Sequence, residues 1–373
     1  MHSLINKVFE IREFKNIQKS IRADLDSRPR TPLTKEEKEA IYAAYKPFRV
    51  LQNFDLGWFE AYKYFQGKAN PKSIPEDFWK FYEYVLNPRK YQMLQHKGML
   101  HNFLPQEILP TTIINKMYGV LFDKDDCVIT EQQAITLLKR SRHFLFKPTI
   151  GTGGGKGLEI IDLTAIENTE QERIIRGVLH RDNFICQEVM EGNIKMTRFN
   201  HSPRTVNTIR CITMMLNGRV SVVSSYLRMS AGDTVNDNVS FSTKTNLNTA
   251  TANCYVGIHP DGSLHEFGLC RIDRARKFYK SPSGIEFQGK TLDFYGRVKE
   301  TVMNLHSHLP LLGFIAWDVT LDKNDNIRII EINLNAQDID DHHLFNGAVF
   351  ADRFEELMKY IEKHNTPYSL MRS

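Results

Sequence analysis

Residues 313–335, GFIAWDVTLDKNDNIRIIEINLN, constrain this chain more than any other stretch. Two apolar, β-branched runs flank the polar segment Asp322-Lys323-Asn324-Asp325-Asn326, the pattern of a β-hairpin closed by an Asn/Asp-rich turn. Acids sit inside both runs. Asp318 lies in the first and Glu331 in the second, and Asn333 follows Glu331 by two positions, hence on the same face of the strand. Acids are seldom buried unpaired, so a hairpin whose carboxylates merely face water fits poorly beside Ile329, Ile330 and Ile332. Three hard oxygen ligands converging from paired strands suit Mg2+, which takes one or two carboxylates and adds phosphate oxygens.

Length and composition set the frame for that hairpin. A chain of 373 residues has room for two or more subdomains, and 41% hydrophobic with 25% charged residues is ordinary for a globular protein. The net charge of +5 fits anionic ligands such as nucleotides and is too diffuse for a nucleic-acid partner. Cys127, Cys186, Cys211, Cys254 and Cys270 are odd in number, widely spaced and without a C-x-x-C pair. They read as reduced thiols of a cytosol, not as disulfides or a zinc site. The first residues, MHSLINKVFEIREFKN, lack the apolar core of a signal peptide, and no stretch reaches transmembrane length. The expectation is a soluble, cytoplasmic protein.

Three segments follow from the patterning. Residues 1–100 read as a helical N-terminal extension. Thr34 caps a helix with acids in its first turn, and aromatic stripes at helical spacing run through 54–65 and 73–86. These stripes are core or an inter-lobe face. Residues 101–190 read as small α/β lobes, with helices at 117–122, 131–140 and 170–180 and strands at 143–148, 158–161 and 183–190. Residues 191–373 read as a larger lobe of strands at 208–215, 219–228 and 253–259, a helix at 291–308, the opening hairpin, and a closing helix at 352–363.

Between two of the short strands lies Gly151-Thr152-Gly153-Gly154-Gly155-Lys156-Gly157. Five glycines in seven residues let the backbone approach a charged ligand closely and turn N–H groups toward phosphate oxygens. A Walker loop fails, because Gly157 follows Lys156 and Ile150 stands where the first glycine belongs. A dinucleotide fingerprint fails in both registers, ending on Lys156 or Leu158. A protein kinase carries its lysine on a strand after the loop, whereas Lys147 precedes it here. What remains is a strand, a lysine and a glycine-rich turn into a second strand, a hairpin able to fold over phosphates.

At this point the chain resembles the ATP-grasp superfamily, and within it the group associated with sugar-transfer and polysaccharide-biosynthesis genes. The resemblance spans residues 105–335. Its carriers are Asn115-Lys116, Phe146-Lys147-Pro148 with the glycine run, Gln187-Glu188-Val189-Met190, Asn207-Thr208-Ile209-Arg210, and Asp318 with Glu331-x-Asn333. Glu331 follows Asp318 at the spacing found in D-alanine–D-alanine ligase. The resemblance implies two α/β lobes gripping ATP, with Lys116 and Lys147 on its α- and β-phosphates. Gln187, Glu188, Val189 and Met190 would form the strand that reads and flanks adenine, and Gly151, Thr152, Gly153, Gly154 and Gly155 would cover the phosphates. Asp318, Glu331 and Asn333 would hold Mg2+. Arg210, Arg228 and Lys156 are the candidate catalytic cations for the transferring group.

The implied reaction is ligation through an acyl phosphate: a carboxylate attacks the γ-phosphate, and an amine then displaces phosphate. An amino acid joined to a sugar or glycan precursor is the substrate pair that the resemblance adds. An ATP-grasp phosphotransferase and a non-catalytic nucleotide-binding module are the rival readings. Neither the substrates nor the oligomeric state follows from the residues.

Two departures stand out. The arginine that the D-alanine ligase pattern carries two residues before the metal aspartate is Ala316 here, which places more weight on Arg210. Asp237-Asn238-Val239-Ser240-Phe241 matches the sugar-transfer group's Asp-Asn turn, but Ser242-Thr243-Lys244 replaces the Gly-Gly expected after it. Asp338-Ile339-Asp340-Asp341-His342-His343 looks like a metal cluster and reads instead as a solvated loop beside the site, with substrate binding as the alternative.

Overall fold

The computed structural model of the chain describes residues 2–149, 157–232, 254–270, 273–335 and 337–365, with side chains from residue 8 onward. The glycine run with Lys156 and the Asp237-Phe241 turn lie outside these residues.

Four helices come first: α1 (His2–Asp26), α2 (Lys35–Tyr45), α3 (Gly57–Gln66) and α4 (Glu76–Leu86). Thr34 starts α2 with a reciprocal capping box. The Glu37 amide donates to Thr34 Oγ1 at 3.2 Å, and the Thr34 amide donates to Glu37 Oε2 at 2.8 Å. The aromatic stripes bury Trp58, Phe59, Tyr62 and Phe65 on α3 and Phe78, Trp79, Phe81 and Tyr82 on α4.

A first sheet follows, built from β1 (Thr112–Met117), β2 (Val120–Asp123), β3 (His143–Pro148), β4 (Glu159–Asp162) and β5 (Phe184–Glu188). Its order is β2-β1-β5-β3-β4, antiparallel throughout. Helices α5 (Glu131–Ser141) and α6 (Asn168–Leu179) pack on one face over Ile114, Phe144, Phe146 and Phe184. The helix expected at 117–122 is a hairpin instead. Tyr118 (φ 49°) and Gly119 (φ 84°) both occupy the left-handed region, and two such residues make the tight turn that matches strand twist. Six residues are too few to fix a helical period.

The second sheet contains β6 (Ile209–Leu216), β7 (Arg219–Met229), β8 (Cys254–Ile258), β9 (Leu264–Leu269), β10 (Phe314–Leu321) and β11 (Ile327–Asn333), in the order β11-β10-β6-β7-β8-β9. The short α7 (Ile194–Thr197) leads into it, and α8 (Tyr295–Ser307) covers the face that carries Cys211 and Trp317. The other face is shared. At one end it packs beneath the N-terminal helices, where Ile212, Met214, Phe314 and Ala316 join Trp79 and Phe78. At the other end it carries polar side chains. Two further helices, α9 (Ile339–Asn346) and α10 (Phe354–His364), close the fold.

The run at 338–343 is therefore not a solvated loop. Its residues from Ile339 to His343 are buried in α9, where Arg28 on the amino-terminal side pairs with Asp340 and Asp341. A charged pattern that looks solvent-facing in sequence is buried here because Arg28, two residues past α1, brings its counter-ion. Among the described residues, all five cysteines are free, and no helix is long and apolar enough to cross a membrane.

Candidate active site

Strand register assembles the site. Glu331 lies opposite Asp318, Asp318 opposite Arg210, and Arg210 opposite Tyr226. Residues directly opposite across antiparallel strands share a face with Cβ atoms about 4.5–5.5 Å apart, so these four side chains form one row across β11, β10, β6 and β7. A register shift after Asp318 in the β10–β11 pair opposes Val319 to Ile329 and leaves Ile330 as the extra residue. Bulges of this kind re-aim side chains beside functional sites. Ile330 lines the cleft between the sheets as a result.

Asp318 is the buried centre of the row. Arg210 grips it through two bonds, Nε to Oδ1 at 2.6 Å and Nη2 to Oδ2 at 3.2 Å, and Arg228 reaches Oδ2 with Nη2 at 2.7 Å. Arg228 also donates Nε to Thr208 Oγ1 at 2.8 Å. Burial pushes the Asp318 carboxyl up, but Arg210 and then Arg228 outweigh it and hold the group below the usual carboxylate range. The arginine absent at position 316 has a physical explanation. Ala316 is fully buried in the cluster formed with Trp79, Phe314 and Ile339, so the N-terminal helices take that position out of the cleft.

Glu331 is more open. Its Oε2 pairs with Lys97 Nζ at 3.2 Å, and Asn333 Nδ2 donates to its Oε1 at 3.4 Å. Across the cleft, Lys147 is buried on β3. Burial pushes its ammonium down to about 8, against the pull of Glu331 and with the push of Lys97. Lys97, Lys147, Thr112, Ile185, Gln187 and Ile330 are among the residues lining a small cleft here.

Lys116 is not part of this assembly. Lys147 and Asn115 both lie opposite Ile185, whereas Lys116 lies opposite Phe184 and so points to the other face of the sheet. There its Nζ donates to the carbonyls of Leu179 at 2.7 Å and Arg181 at 3.0 Å, at the C-terminal end of α6. A cation at that end of a helix complements its exposed carbonyls. Glu188 is constrained too: its amide donates to Thr111 O at 2.9 Å, so that N–H is spent within the lobe. Gln187 faces the cleft, donating weakly to Pro110 O at 3.4 Å, and Val189 and Met190 are half-buried just beyond β5.

Lys97 and Tyr226 were not legible as site residues in the sequence, and Asp338 only as the first residue of a run with substrate binding as its alternative reading. Lys97 sits in an unremarkable run before Pro110, with no glycine pattern to mark it. Tyr226 and Asp338 meet only through the fold, the Tyr226 hydroxyl donating to Asp338 Oδ2 at 3.2 Å.

The donor set suits Mg2+ in a particular way. Among the described residues, no group of three or more His, Cys, Asp or Glu side chains gathers as a metal site. Two carboxylates and an amide match an ion that takes its remaining ligands from phosphate and water. Among the described residues, Lys97 and Lys147 flank Glu331 while Arg210 and Arg228 hold Asp318, so cations and carboxylates alternate along the row. Such an alternation suits a metal that arrives together with a polyphosphate.

Several solved structures are similar to this chain at low identity. One is the ATP-grasp ligase PsnB complexed with minimal precursor, at 11% identity and a TM-score of 0.39, matched over 75% of this chain and 63% of that one. Another is the biotin carboxylase β-γ-ATP complex from Campylobacter jejuni, at 12% identity and a TM-score of 0.41, over 72% and 46%. A third is D-alanyl-alanine synthetase A from Vibrio cholerae O1 biovar eltor, at 8% identity and a TM-score of 0.40, over 73% and 65%. The chain spans less than two thirds of the length of each. A comparison with curated proteins returned no match. The family described as sugar-transfer associated ATP-grasp matches residues 78–359, which take in most of α4, both sheets and every residue of the row. The chain therefore belongs to the sugar-transfer associated ATP-grasp family, with its two-sheet fold and its cofactors, ATP and Mg2+.

Proposed function

We propose that this protein uses Mg-ATP to activate a carboxylate as an acyl phosphate and joins it to an amine, the pair being an amino acid and a sugar or glycan precursor. The observation that carries this reading is the cross-sheet row. It puts charge-stabilising groups in line, from Lys97, Lys147 and Glu331 at one end to Arg210, Tyr226 and Asp338 at the other. Acyl-phosphate chemistry needs positioned charge more than a side-chain nucleophile.

In this reading residues 101–190 hold the nucleotide and residues 191–373 hold metal and acceptor, with residues 1–100 bracing them. Lys97 and Lys147 bind the α- and β-phosphates, and Gln187, Val189 and Met190 surround adenine. Gly151, Thr152, Gly153, Gly154, Gly155 and Lys156 cover the phosphates, a role assigned on sequence alone. Glu331, Asn333 and Asp318 hold Mg2+, which when bound neutralises charge on the β- and γ-phosphates. Arg210 and Arg228 face the γ-phosphate and the oxyanion of the tetrahedral intermediate.

The test is a screen of amino acids against uronic-acid and nucleotide-sugar acceptors, following ADP. A ligase releases ADP only when carboxylate and amine are both present. Release with one acceptor alone would mark a phosphotransferase, and nucleotide binding without release a non-catalytic module.

Lys147 gives this reading a pH signature. With its ammonium at about 8, the free protein loses that charge above this pH, while a bound phosphate restores it. Protonation then accompanies binding, so the Kd for ATP should rise by about tenfold per pH unit above 8. Calorimetric titration between neutral and alkaline pH measures this, and Lys147→Arg should flatten the profile. A flat profile in the wild type would remove Lys147 from the phosphate set.

A further inference from the structure

We propose that Asp338 and Tyr226 form the binding site for the ammonium group of the amine substrate, and that Asp338 accepts the proton this group sheds. The inference rests on the ligase reading above and assigns a residue to its second half-reaction.

Asp338 stands at the N-cap of α9, where an aspartate ordinarily turns its carboxylate back onto the first amides of its own helix. It does not do so here. Its backbone is left-handed, with φ 57° and ψ 44°, and its side chain makes no capping bond. Aspartate is one of the few side chains that take this conformation readily. With the cap forgone, the carboxylate turns toward the row. There Oδ2 accepts from Arg210 Nη1 at 3.3 Å and from the Tyr226 hydroxyl at 3.2 Å, while the side chain stays 25% exposed.

Position in the row decides the ligand. Glu331, with Lys97 and Lys147 near it, occupies the nucleotide end on β11. Asp318 lies between two guanidinium groups and is unsuited to take a proton. Asp338 lies two strands away from Glu331, above Arg210 and Tyr226, on the side where an acceptor meets an acyl group held by Arg210. A carboxylate with a tyrosine hydroxyl beside it is a cation site, and an acceptor that enters as an ammonium ion needs one.

Neighbouring groups fix the pair in place. The Tyr226 ring packs at a tilt against His342, with centroids 4.5 Å apart and planes 40° from parallel. Burial pushes the His342 imidazole down to about 3, so it stays neutral, and its Nδ1 bonds Ser224 Oγ at 2.7 Å. Asp340, another acid near Asp338, is engaged by Arg28. The preceding residue, Gln337, is held by Trp79 Nε1 at 3.0 Å. Among the described residues, Arg210, Asp340 and Asp341 are charged groups near Asp338, and His342 beside them stays neutral.

The step balances as follows. The carboxylate oxygen of the first substrate attacks the γ-phosphorus, forming the acyl phosphate and releasing ADP. The ammonium ion then gives one proton to Asp338, and its lone pair attacks the acyl carbon. The C–N bond forms, the C–O bond to phosphate breaks, and inorganic phosphate leaves with that electron pair and takes up the second proton that the nitrogen sheds as it becomes an amide.

Hydroxylamine separates the roles, because it attacks acyl phosphates as a neutral molecule and needs no ammonium site. Wild type and variants are assayed with glucuronate or UDP-glucuronate as carboxylate, and with glycine, L-alanine, L-lysine or hydroxylamine as nucleophile. In Asp338→Asn the KM for the amine should rise by about ten- to a hundredfold, the loss of one charged hydrogen bond, while hydroxamate formation is largely spared. Asp338→Glu should recover part of the amine affinity. Equal losses with amine and hydroxylamine would overturn the proposal and leave Asp338 as a support for Arg210. No ADP release by wild type with any of these carboxylates would remove the ligase reading itself, and the proposal with it.

Discussion

Asp318→Asn should destabilise the folded protein by about 3–5 kcal/mol, because it strips the shared counter-ion from two buried guanidinium groups. Arg210 and Arg228 are 5% and 8% exposed, and each has a nitrogen within 2.7 Å of Asp318. The same carboxylate gives stability a pH dependence. Its folded value lies below the unfolded one, so its contribution is complete above the unfolded value of about 3.9 and is lost as pH falls through the folded value. Urea unfolding at neutral pH and under acid should show a large gap between wild type and variant that closes in acid. A variant as stable as wild type at neutral pH would mean that the two arginines find other partners. Replacing Asp318, Arg210 and Arg228 together by apolar residues should cost less than Asp318→Asn alone, since no buried guanidinium is then stranded and Asp338, which loses Arg210, is 25% exposed.

Glu331→Gln should do the opposite: abolish ATP consumption and leave the fold alone. The Glu331 side chain is 23% exposed and its ion pair with Lys97 is half-solvated, so losing the charge should change stability by less than about 1 kcal/mol. The effect on turnover should be at least about 10²–10³-fold, the loss typical when a group aimed at developing charge is removed. Paired measurements of ADP release and thermal unfolding test both halves. A wild-type-like rate would take Glu331 out of the metal set, and a large drop in stability would show that Lys97 depends on it for burial. The contrast between these two acids, adjacent on paired strands, reflects burial alone.

Burial and long-range partners are also where sequence reasoning stopped. The hairpin of β10 and β11, the Thr34 cap, and the strands at Lys147 and Arg210 are written in local alternation and turn chemistry, and the structure contains them. The segment at 117–122 went astray because its turn depends on two left-handed residues, a feature that six residues of apolar pattern do not report. Lys116 was the natural phosphate lysine by motif, yet the β1–β5 register turns it toward α6. Lys97, which carries no motif, comes to Glu331 because the chain before β1 folds across the cleft. His306, near the C-terminal end of α8, is buried although nothing local in the sequence marks it as such. Burial pushes its imidazole down to about 4, and its ring nitrogens meet Thr213 Oγ1 and Leu312 O.

By itself the sequence determined which residue types stand on which strands: two acids and an amide in one hairpin, a lysine ahead of a glycine run, and an arginine on a strand after Asn207-Thr208. Those features have periods of two and depend on neighbours a few residues away. Tertiary structure alone decided which of them meet. Arg210 and Asp318 are 108 residues apart in the chain, and Arg28 and Asp340 are 312 apart. A strand offers two faces, and a one-residue slip exchanges them, so the register set by distant partners selects Lys147 over Lys116 for the cleft. The N-terminal helices likewise bury Ala316 and leave Asp318 in the cleft, because they cover only one end of the shared face.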